Sequence, residues 1–250
     1  LIHFRNVIEL KELPEQFIVH ISADNHYRLY VNGVEVCYGP QKGDIQHWRY
    51  ETVDLAPFLK SGNNIIAAEV MNWGIDRSHA IISYKTALML QGHSDKEKVL
   101  NTSWNSSWLL HRNPGVFKRS VNWIYGVDVV GGFYAANPTD SIVAASYPWG
   151  WKELGFDDSK WQKPEWILGK PDTNTGNGHG WILQPRTTAM QVSRKETIGG
   201  IVRSDLKDAK RKFNFENDVL EIPANSSHTI LIDKGKVTLG YPKLNLSGGK

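Results

Sequence analysis

One loop of the sequence carries side chains that suit the binding of a sugar. Trp73, Asp76 and Arg77 follow the apolar run from Asn64 to Met71, which predicts a strand, so they lie in the loop that leaves it. An indole ring stacks on the apolar face of a pyranose, and planar carboxylate and guanidinium groups pair with its hydroxyls. The loop is therefore a candidate carbohydrate site. The alternative is structural, because sandwich tryptophans often belong to the core and an Asp–Arg pair often holds its own loop.

Two other short segments are expected near this loop. Asp24 and Asn25 lie at the edge of a predicted hairpin, and Trp48 lies at the start of the next strand, which places all three at the same end of a β-sandwich. The oxygens of Asp24 and Asn25 also suit Ca²⁺, which prefers oxygen ligands. The surrounding sequence lacks a complete set of oxygen ligands at the required spacing. We therefore predict no required cofactor, with Ca²⁺ at Asp24 and Asn25 as the alternative.

The acidic residues do not mark a catalytic centre. Among the 26 Asp and Glu residues, Asp157 and Asp158 form the only adjacent pair. Two carboxyl groups that act as acid and base must face a substrate from two sides, whereas neighbours on a backbone diverge. The segment instead favours a capped turn, with Phe156 and Trp161 inserted in the core. The sequence predicts no catalytic residue.

The elements that position these residues are organised around a hairpin at Asn32-Gly33. This dipeptide joins two alternating apolar runs within residues 17–40 and favours a type I′ turn, which needs positive φ at both positions. The turn sets the register, and the hydrophobic pattern places the apolar side chains on one face. The expected pairs on that face are Val31 with Val34, Leu29 with Val36 and Tyr27 with Tyr38.

Short strands separated by turns continue along the chain, and convincing amphipathic helices are absent from the pattern. This arrangement predicts an all-β fold, an antiparallel β-sandwich. The predicted strands cover residues 2–10, 17–22, 47–53, 64–71, 81–91, 100–110, 116–129, 166–167, 219–222, 229–232 and 244–246. The expected domains are an N-terminal β-sandwich at 1–190, a charged connector at 191–212, and the beginning of a truncated second β-sandwich at 213–250.

Composition excludes several classes of function. The net charge is only +3, and 29 basic residues are scattered among 26 acidic ones, which argues against nucleic acid as a partner. No apolar run is long enough to span a membrane. Cys37 is the only cysteine, so an internal disulfide is excluded. The ten tryptophans, eight of them between Trp104 and Trp181, indicate a large aromatic core or ring platforms for a flat ligand.

Several motifs together resemble a known family. They are SADNHYRLYVNG, YGP and DLAPFLKSGNNIIAAEV in the first 70 residues, PWGWKELGFDDSKW and GWILQPR further on, and TILIDKGKVTLGYPKLNLSGGK at the end. In this order they resemble the N-terminal β-sandwich region of bacterial α-L-rhamnosidases, a galactose-binding-like jelly roll. The resemblance is strongest in residues 22–70 and weakest in residues 91–146.

The resemblance implies a role and partners. In that family the sugar is cleaved, with inversion, by acidic residues of an α-helical barrel that follows these β domains, and the sequence contains no match to that barrel. The chain is then expected to be a non-catalytic accessory domain that binds a rhamnose-containing glycan. The alternatives are a purely structural domain that packs against the catalytic barrel and, least favoured, an independent hydrolase. An extracytoplasmic location is expected, and the opening on Leu1 indicates a start removed by processing or by design.

Overall fold

The structure, a computed structural model, describes residues 1–119, 139–167, 180–191, 194–207, 209, 213–238, 240, 243–245 and 247–248. Its strands are β1 Ile2–Leu10, β2 Ile18–Asp24, β3 His26–Val31, β4 Val34–Gly39, β5 Trp48–Asp54, β6 Gly62–Met71, β7 Ala87–Gly92, β8 Leu109–Arg112, β9 Val116–Arg119, β10 Thr139–Ile142, β11 Leu183–Pro185, β12 Gly200–Ser204 and β13 Ile230–Asp233. Short 3₁₀ turns cover Ile45–His47, Ala56–Phe58, Gly74–Asp76, Glu97–Leu100 and Ala144–Ser146. Within this described part the chain forms no α-helix, and none of its helical turns is long and apolar enough to cross a membrane.

Two sheets enclose the main core of the first compact unit, Leu1–Ala189. One has the strand order β4-β3-β6-β1-β8 and the other β11-β5-β2-β7, and every pairing in them is antiparallel except that of β11 with β5. Alternate residues of both sheets point into a shared apolar interior, which contains Phe4, Ile21, Leu29, Ile66 and Leu90. The predicted all-β, antiparallel sandwich is confirmed.

The Asn32-Gly33 turn is confirmed, with φ of 51° at Asn32 and 81° at Gly33. The predicted register is right only next to the turn, where Val31 pairs with Val34. An irregularity between Leu29 and Tyr30 shifts the ladder by one residue beyond that point. The observed partners are therefore Cys37 for Leu29, Tyr38 for Arg28 and Gly39 for Tyr27.

The burial of the hairpin side chains agrees with the prediction only in part. Leu29 and Val31 are fully buried, as predicted, and Val36 packs partly buried against the core. Val34 is 54% exposed, so its predicted burial is wrong. The β4 strand lies at the edge of its sheet, where no further strand of the described chain covers it.

Three predicted strands are wrong in extent. The strand expected at 81–91 is limited to Ala87–Gly92, because the backbone amides of Tyr84 and Lys85 donate to the Asp24 carboxylate instead of to a ladder. The strand expected at 100–110 is a loop leading to Leu109–Arg112, and the indole of Trp108 donates to the carbonyl of Leu100 at 2.8 Å. Residues 166–167 form no strand. The strand expected at 116–129 is present at Val116–Arg119, and residues 120–129 lie outside the described chain.

The outer face of the five-stranded sheet is also covered, by a segment that spans residues 147–162 and is here called the outer cover. Its rings Trp151 and Trp161 pack on Tyr30, Ile65 and Ala67. The predicted capped turn within it is confirmed, because the Ser159 amide donates to Asp157 Oδ1 at 3.0 Å.

Asp158 belongs to the same cover and pairs with a buried residue of β1. The Nε of Arg5 donates to Asp158 Oδ2 at 2.8 Å, and its Nη1 donates to the carbonyl oxygens of Trp151 and Glu153. Arg5 itself is 1% exposed. A buried guanidinium is tolerated only when its donors are satisfied, so these contacts explain why the cover returns to this face of the sheet.

A second buried ion pair holds the chain that leads into β11. Glu51 of β5 is fully buried and accepts hydrogen bonds from the Tyr27 hydroxyl at 2.7 Å, the Gln41 amide at 2.9 Å and Arg186 Nη1 at 2.9 Å. Burial raises the pKa of the Tyr27 hydroxyl, which therefore stays protonated as a donor. Because Arg186 follows β11 directly, this pair fixes the segment that carries Trp181.

The second compact unit, Met190–Lys250, contains a separate antiparallel pair of strands. Gly200 of β12 pairs with Asp233 of β13 and Ile201 with Ile232, with an irregularity after Ile201. β12 lies inside the segment expected to be a connector, which is therefore not structureless. The strand expected at 229–232 is present as β13, one residue later, and the strand expected at 219–222 is not formed.

Candidate functional site

A buried carboxylate organises one end of the sandwich. Asp24 is the last residue of β2 and is 1% exposed. Three donors reach each of its oxygens at 2.7–3.2 Å. They are Asn25 Nδ2, Asn72 Nδ2 and Ser83 Oγ on Oδ1, and the backbone amides of Tyr84 and Lys85 with Trp181 Nε1 on Oδ2. A carboxylate has about four lone-pair positions, so this group is saturated by the protein itself.

This environment does not fit a calcium ion at Asp24. A cation needs oxygen lone pairs directed at it, whereas the groups around this carboxylate direct N–H and O–H bonds towards its oxygens. The described part of the chain also has no group of three or more His, Cys, Asp or Glu residues that could hold a metal ion. Asp24 is instead the acceptor that joins three separate chain segments.

Asn25 and Asn72 extend this network to the loop after β6. Asn25 is 4% exposed, its Nδ2 donates to the carbonyl of Ile82 at 3.1 Å, and its Oδ1 accepts from the Trp73 amide at 3.2 Å. Asn72 Oδ1 accepts from the Gly74 amide at 2.7 Å. The two side chains therefore fix where the backbone of the Trp73 loop begins.

The Trp73 loop presents its side chains outward from this base. The half-buried indole of Trp73 meets the ring of His26 edge to face, with centroids 5.2 Å apart. Asp76 forms an ion pair with Lys118 of β9. Arg77 donates from Nε to the carbonyl of Ile81 at 3.0 Å and from Nη1 to that of Gly74 at 2.8 Å.

These contacts of Arg77 close the loop on itself through backbone carbonyls, whereas Asp76 pairs with Lys118, so the loop is held by other contacts than the Asp–Arg pair of the structural alternative. The side chain is nevertheless exposed, and a guanidinium has five N–H donors, of which these bonds use two. Trp73, Asp76 and Arg77 thus lie on one fixed loop, with part of each side chain facing solvent.

Trp48 lies deeper than the loop. It is 5% exposed, and its Nε1 donates to the carbonyl of Ala23 at 3.3 Å. The ring of Trp181 meets that of Trp48 with centroids 6.3 Å apart and that of Tyr84 with centroids 5.3 Å apart, both edge to face. The three rings form an aromatic cluster that includes the buried Trp48 and the exposed Tyr84.

The structure therefore brings all six predicted residues to one end of the sandwich but gives them different surroundings. Asp24, Asn25 and Trp48 are buried supports, whereas Trp73, Asp76 and Arg77 reach the surface. Sequence reasoning missed Asn72, Ser83, Tyr84 and Trp181, which complete the network. Asn72 directly precedes Trp73, so its position beside the candidate loop could have identified it. Trp181 is 157 positions from Asp24 in the sequence, and no local pattern signals their contact.

The fold is a β-sandwich in which a hydrogen-bonded network holds the loops at one end. Comparison with known proteins shows which class of protein it resembles. No protein-family model matches the chain. Over 160 residues, or 63% of the chain, the sequence is 26% identical to an α-L-rhamnosidase of Streptomyces avermitilis, and the match spans 12% of that protein.

One solved structure gives the same answer for the fold. A crystal structure of a GH78 family rhamnosidase from Bacillus sp. GL1 matches 81% of this chain with a TM-score of 0.63 and 20% identity, over 20% of its own length. The S. avermitilis α-L-rhamnosidase complexed with L-rhamnose matches 81% of this chain and 18% of its own, with a TM-score of 0.48 and 17% identity. The predicted resemblance to the β-sandwich region of α-L-rhamnosidases is confirmed. The chain spans between 12% and 20% of the length of these relatives.

Proposed function

We propose that the chain is a non-catalytic accessory β-domain of an α-L-rhamnosidase, a glycoside hydrolase that acts on rhamnose-containing glycans. The observation that carries this proposal is that sequence similarity and fold similarity both relate the same β region to rhamnosidases. On this proposal the catalytic acid and base belong to another domain of a longer chain, which is the principal protein partner. The acidic pair at 157–158 is used by the turn and by Arg5, which agrees with a non-catalytic role.

The proposed sugar contact is the Trp73 loop. Trp73 supplies an aromatic face, and Asp76 and Arg77 supply an acceptor and donors beside it, the combination that recognition of a pyranose needs. Asn25 holds the backbone of this loop at Trp73, and Asp24 holds the Asn72 side chain at its base. Trp48 contacts the ring of Trp181, which donates to Asp24, and so supports the site from the core side. The loop is fixed before binding, so little conformational entropy is lost when a sugar docks.

A purely structural domain is the second candidate, and one observation favours it. The same end of the sandwich exposes apolar side chains, Ile75 at 92%, Tyr84 at 47% and Ile82 at 42%. Apolar groups of this size suit packing against another domain at least as well as contact with a sugar. In this case the catalytic domain of the longer chain covers this end and no free sugar binds there.

Isothermal titration calorimetry with L-rhamnose and methyl α-L-rhamnoside separates the two candidates. We expect a dissociation constant of about micromolar or weaker for the wild type, because a monosaccharide offers few atoms for contact. Trp73→Ala should abolish the heat. Trp104→Ala is the matched control, since Trp104 is a 76% exposed tryptophan outside the loop, and it should bind as the wild type does.

Equal heats from the wild type and Trp73→Ala, or no heat from either, would favour the structural domain. We also place the parent protein outside the cytoplasm, because a polymeric glycan is met there. Fractionation of cells that express the full-length protein tests this location, and recovery in the cytoplasmic fraction alone would contradict it.

A further inference from the structure

A pair of histidines lies on the outer face of the four-stranded sheet, away from the Trp73 loop. In the register of β2 with β7, His20 is opposite Gln91, and His93 follows β7 with its amide bonded to the carbonyl of Ile18 at 3.0 Å. His20 and His93 are therefore diagonal neighbours on one face, close enough for long side chains to meet. The Nε2 of His20 lies 3.2 Å from the Nδ1 of His93.

A third side chain orients His20. Thr52 of β5 is directly opposite it, and its Oγ1 lies 2.9 Å from His20 Nδ1. In the tautomer that carries hydrogen on Nδ1, His20 donates to this hydroxyl and presents the lone pair of Nε2 towards His93. This arrangement is the one that metal-binding histidines commonly use, where the second ring nitrogen donates to an oxygen that fixes the ring.

The pair is also accessible, as metal ligands must be. Two imidazoles this close disfavour simultaneous protonation. His93 is exposed and His20 partly so, which leaves an entry path from solvent.

We propose that His20 Nε2 and His93 Nδ1 together bind one divalent transition-metal ion of the Zn²⁺ or Ni²⁺ class. Two imidazole nitrogens at about 2.0–2.1 Å from a tetrahedral ion are separated by roughly 3.3 Å, and the observed separation is 3.2 Å. The hydrogen between the two rings moves to His93 Nε2 in this complex, so both ligands stay neutral and each donates one lone pair. A modest rotation about χ2, a soft torsion in histidine, turns both lone pairs towards the ion.

The remaining coordination positions belong to water. No third His, Cys, Asp or Glu of the described chain joins the pair in a metal-binding group, so the site has two protein ligands. Its affinity is then weaker than that of a structural four-ligand zinc site. Imidazole ligands favour Zn²⁺ and Ni²⁺ over the oxygen-seeking Ca²⁺ and Mg²⁺.

Calorimetric titration of the tag-free chain with ZnCl₂ and with NiCl₂ tests the proposal. We expect one site, and we expect His20→Gln and His93→Gln each to weaken binding by about tenfold or more. Thr52→Val should weaken it by roughly tenfold, as loss of a group that orients a metal ligand does. His47→Gln is the matched control, because His47 is an exposed histidine bonded to Asp44, and it should leave the affinity unchanged.

Circular dichroism melts of the metal-free variants check that each is folded. Absence of binding by the wild type would overturn the proposal. Unchanged affinity in either His20→Gln or His93→Gln, or an equal loss in His47→Gln, would do the same, because the ion would then bind elsewhere.

Discussion

The two faces of the five-stranded sheet are both buried, but by different means. The inner face packs apolar residues such as Phe4 and Leu29 against the second sheet. The outer face buries His3 and Arg5 of the same strand β1 under the outer cover, with His3 stacked on Trp151 at 4.0 Å. Apolar packing tolerates many substitutions of similar volume, whereas a buried charge depends on each of its partners. The outer face should therefore be the more sensitive to a single change.

Arg5→Ala should have the largest effect. It leaves the carbonyl oxygens of Trp151 and Glu153 without their donor and removes the partner of Asp158. Each buried carbonyl left without its donor costs about 1–3 kcal/mol, and the volume vacated by the large buried side chain adds the cost of a cavity. Urea unfolding followed by tryptophan fluorescence measures the change in the free energy of unfolding.

Two variants serve as references for Arg5→Ala. Leu29→Ala creates a cavity on the inner face, for which about 2–5 kcal/mol is expected. Asp158→Asn should cost less than Arg5→Ala, since Asp158 is 28% exposed. If Arg5→Ala cost less than Leu29→Ala, the claimed difference between the two faces would not stand.

Gly33→Val tests the hairpin turn where it approaches the outer cover. The residue has φ of +81°, and a Cβ there would lie 2.8 Å from Glu153 Oε1. A non-glycine residue held in this conformation costs about 1–3 kcal/mol, and β-branching places it at the upper end. The same unfolding measurement should show this loss. The flexible side chain of Glu153 can move aside, so the backbone conformation decides the cost. Gly33→Asn should therefore be tolerated better than Gly33→Val, since Asn adopts positive φ more readily.

The smallest effect is expected from pH. Burial lowers the pKa of His3, which the nearby Glu69 only partly offsets, so the unfolded chain binds a proton more readily than the folded one. The contribution of His3 to the free energy of unfolding is then fully present well above pH 6.5, the ordinary pKa of histidine, and it is lost as the pH drops through that value. Thermal melts across this range should show the decline, and His3→Gln should flatten it in part. The pKa values of His20 and His26 are lowered too, so a residual slope is expected in the variant.

Much of the inner face was predictable from sequence because its signals are local. The Asn32-Gly33 dipeptide indicates the turn, and the two-residue alternation of β3 indicates that strand and its buried side. The shift after Leu29 was not predictable, because Val34, Val36 and Tyr38 keep an unbroken alternation in the sequence while the ladder gains one residue of β4 there.

The shared position of the six candidate residues at one end of the sandwich was predictable, but their arrangement there was not. The types of Trp73, Asp76 and Arg77 suggested ligand contact, and their neighbourhood to Asp24 followed from strand ends at one edge. The donors that bury Asp24 include Tyr84, which is 60 positions away in the sequence, and Trp181, which is 157 positions away. Their approach depends on the paths of loops, which no local pattern encodes. The partners of Arg5 in the outer cover, 146 to 153 positions away, were hidden for the same reason.

The most direct test of the proposed non-catalytic role is hydrolysis of an aryl α-L-rhamnoside by the purified 250-residue chain, with a full-length α-L-rhamnosidase as the positive control. The proposal predicts no turnover by the chain, because hydrolysis with inversion needs a carboxylic acid and a carboxylate on opposite sides of the sugar, and the acidic residues at 157–158 hold a turn and Arg5 instead. Turnover by the chain that is abolished in Asp157→Asn or in Asp158→Asn, with folding intact, would contradict the proposal.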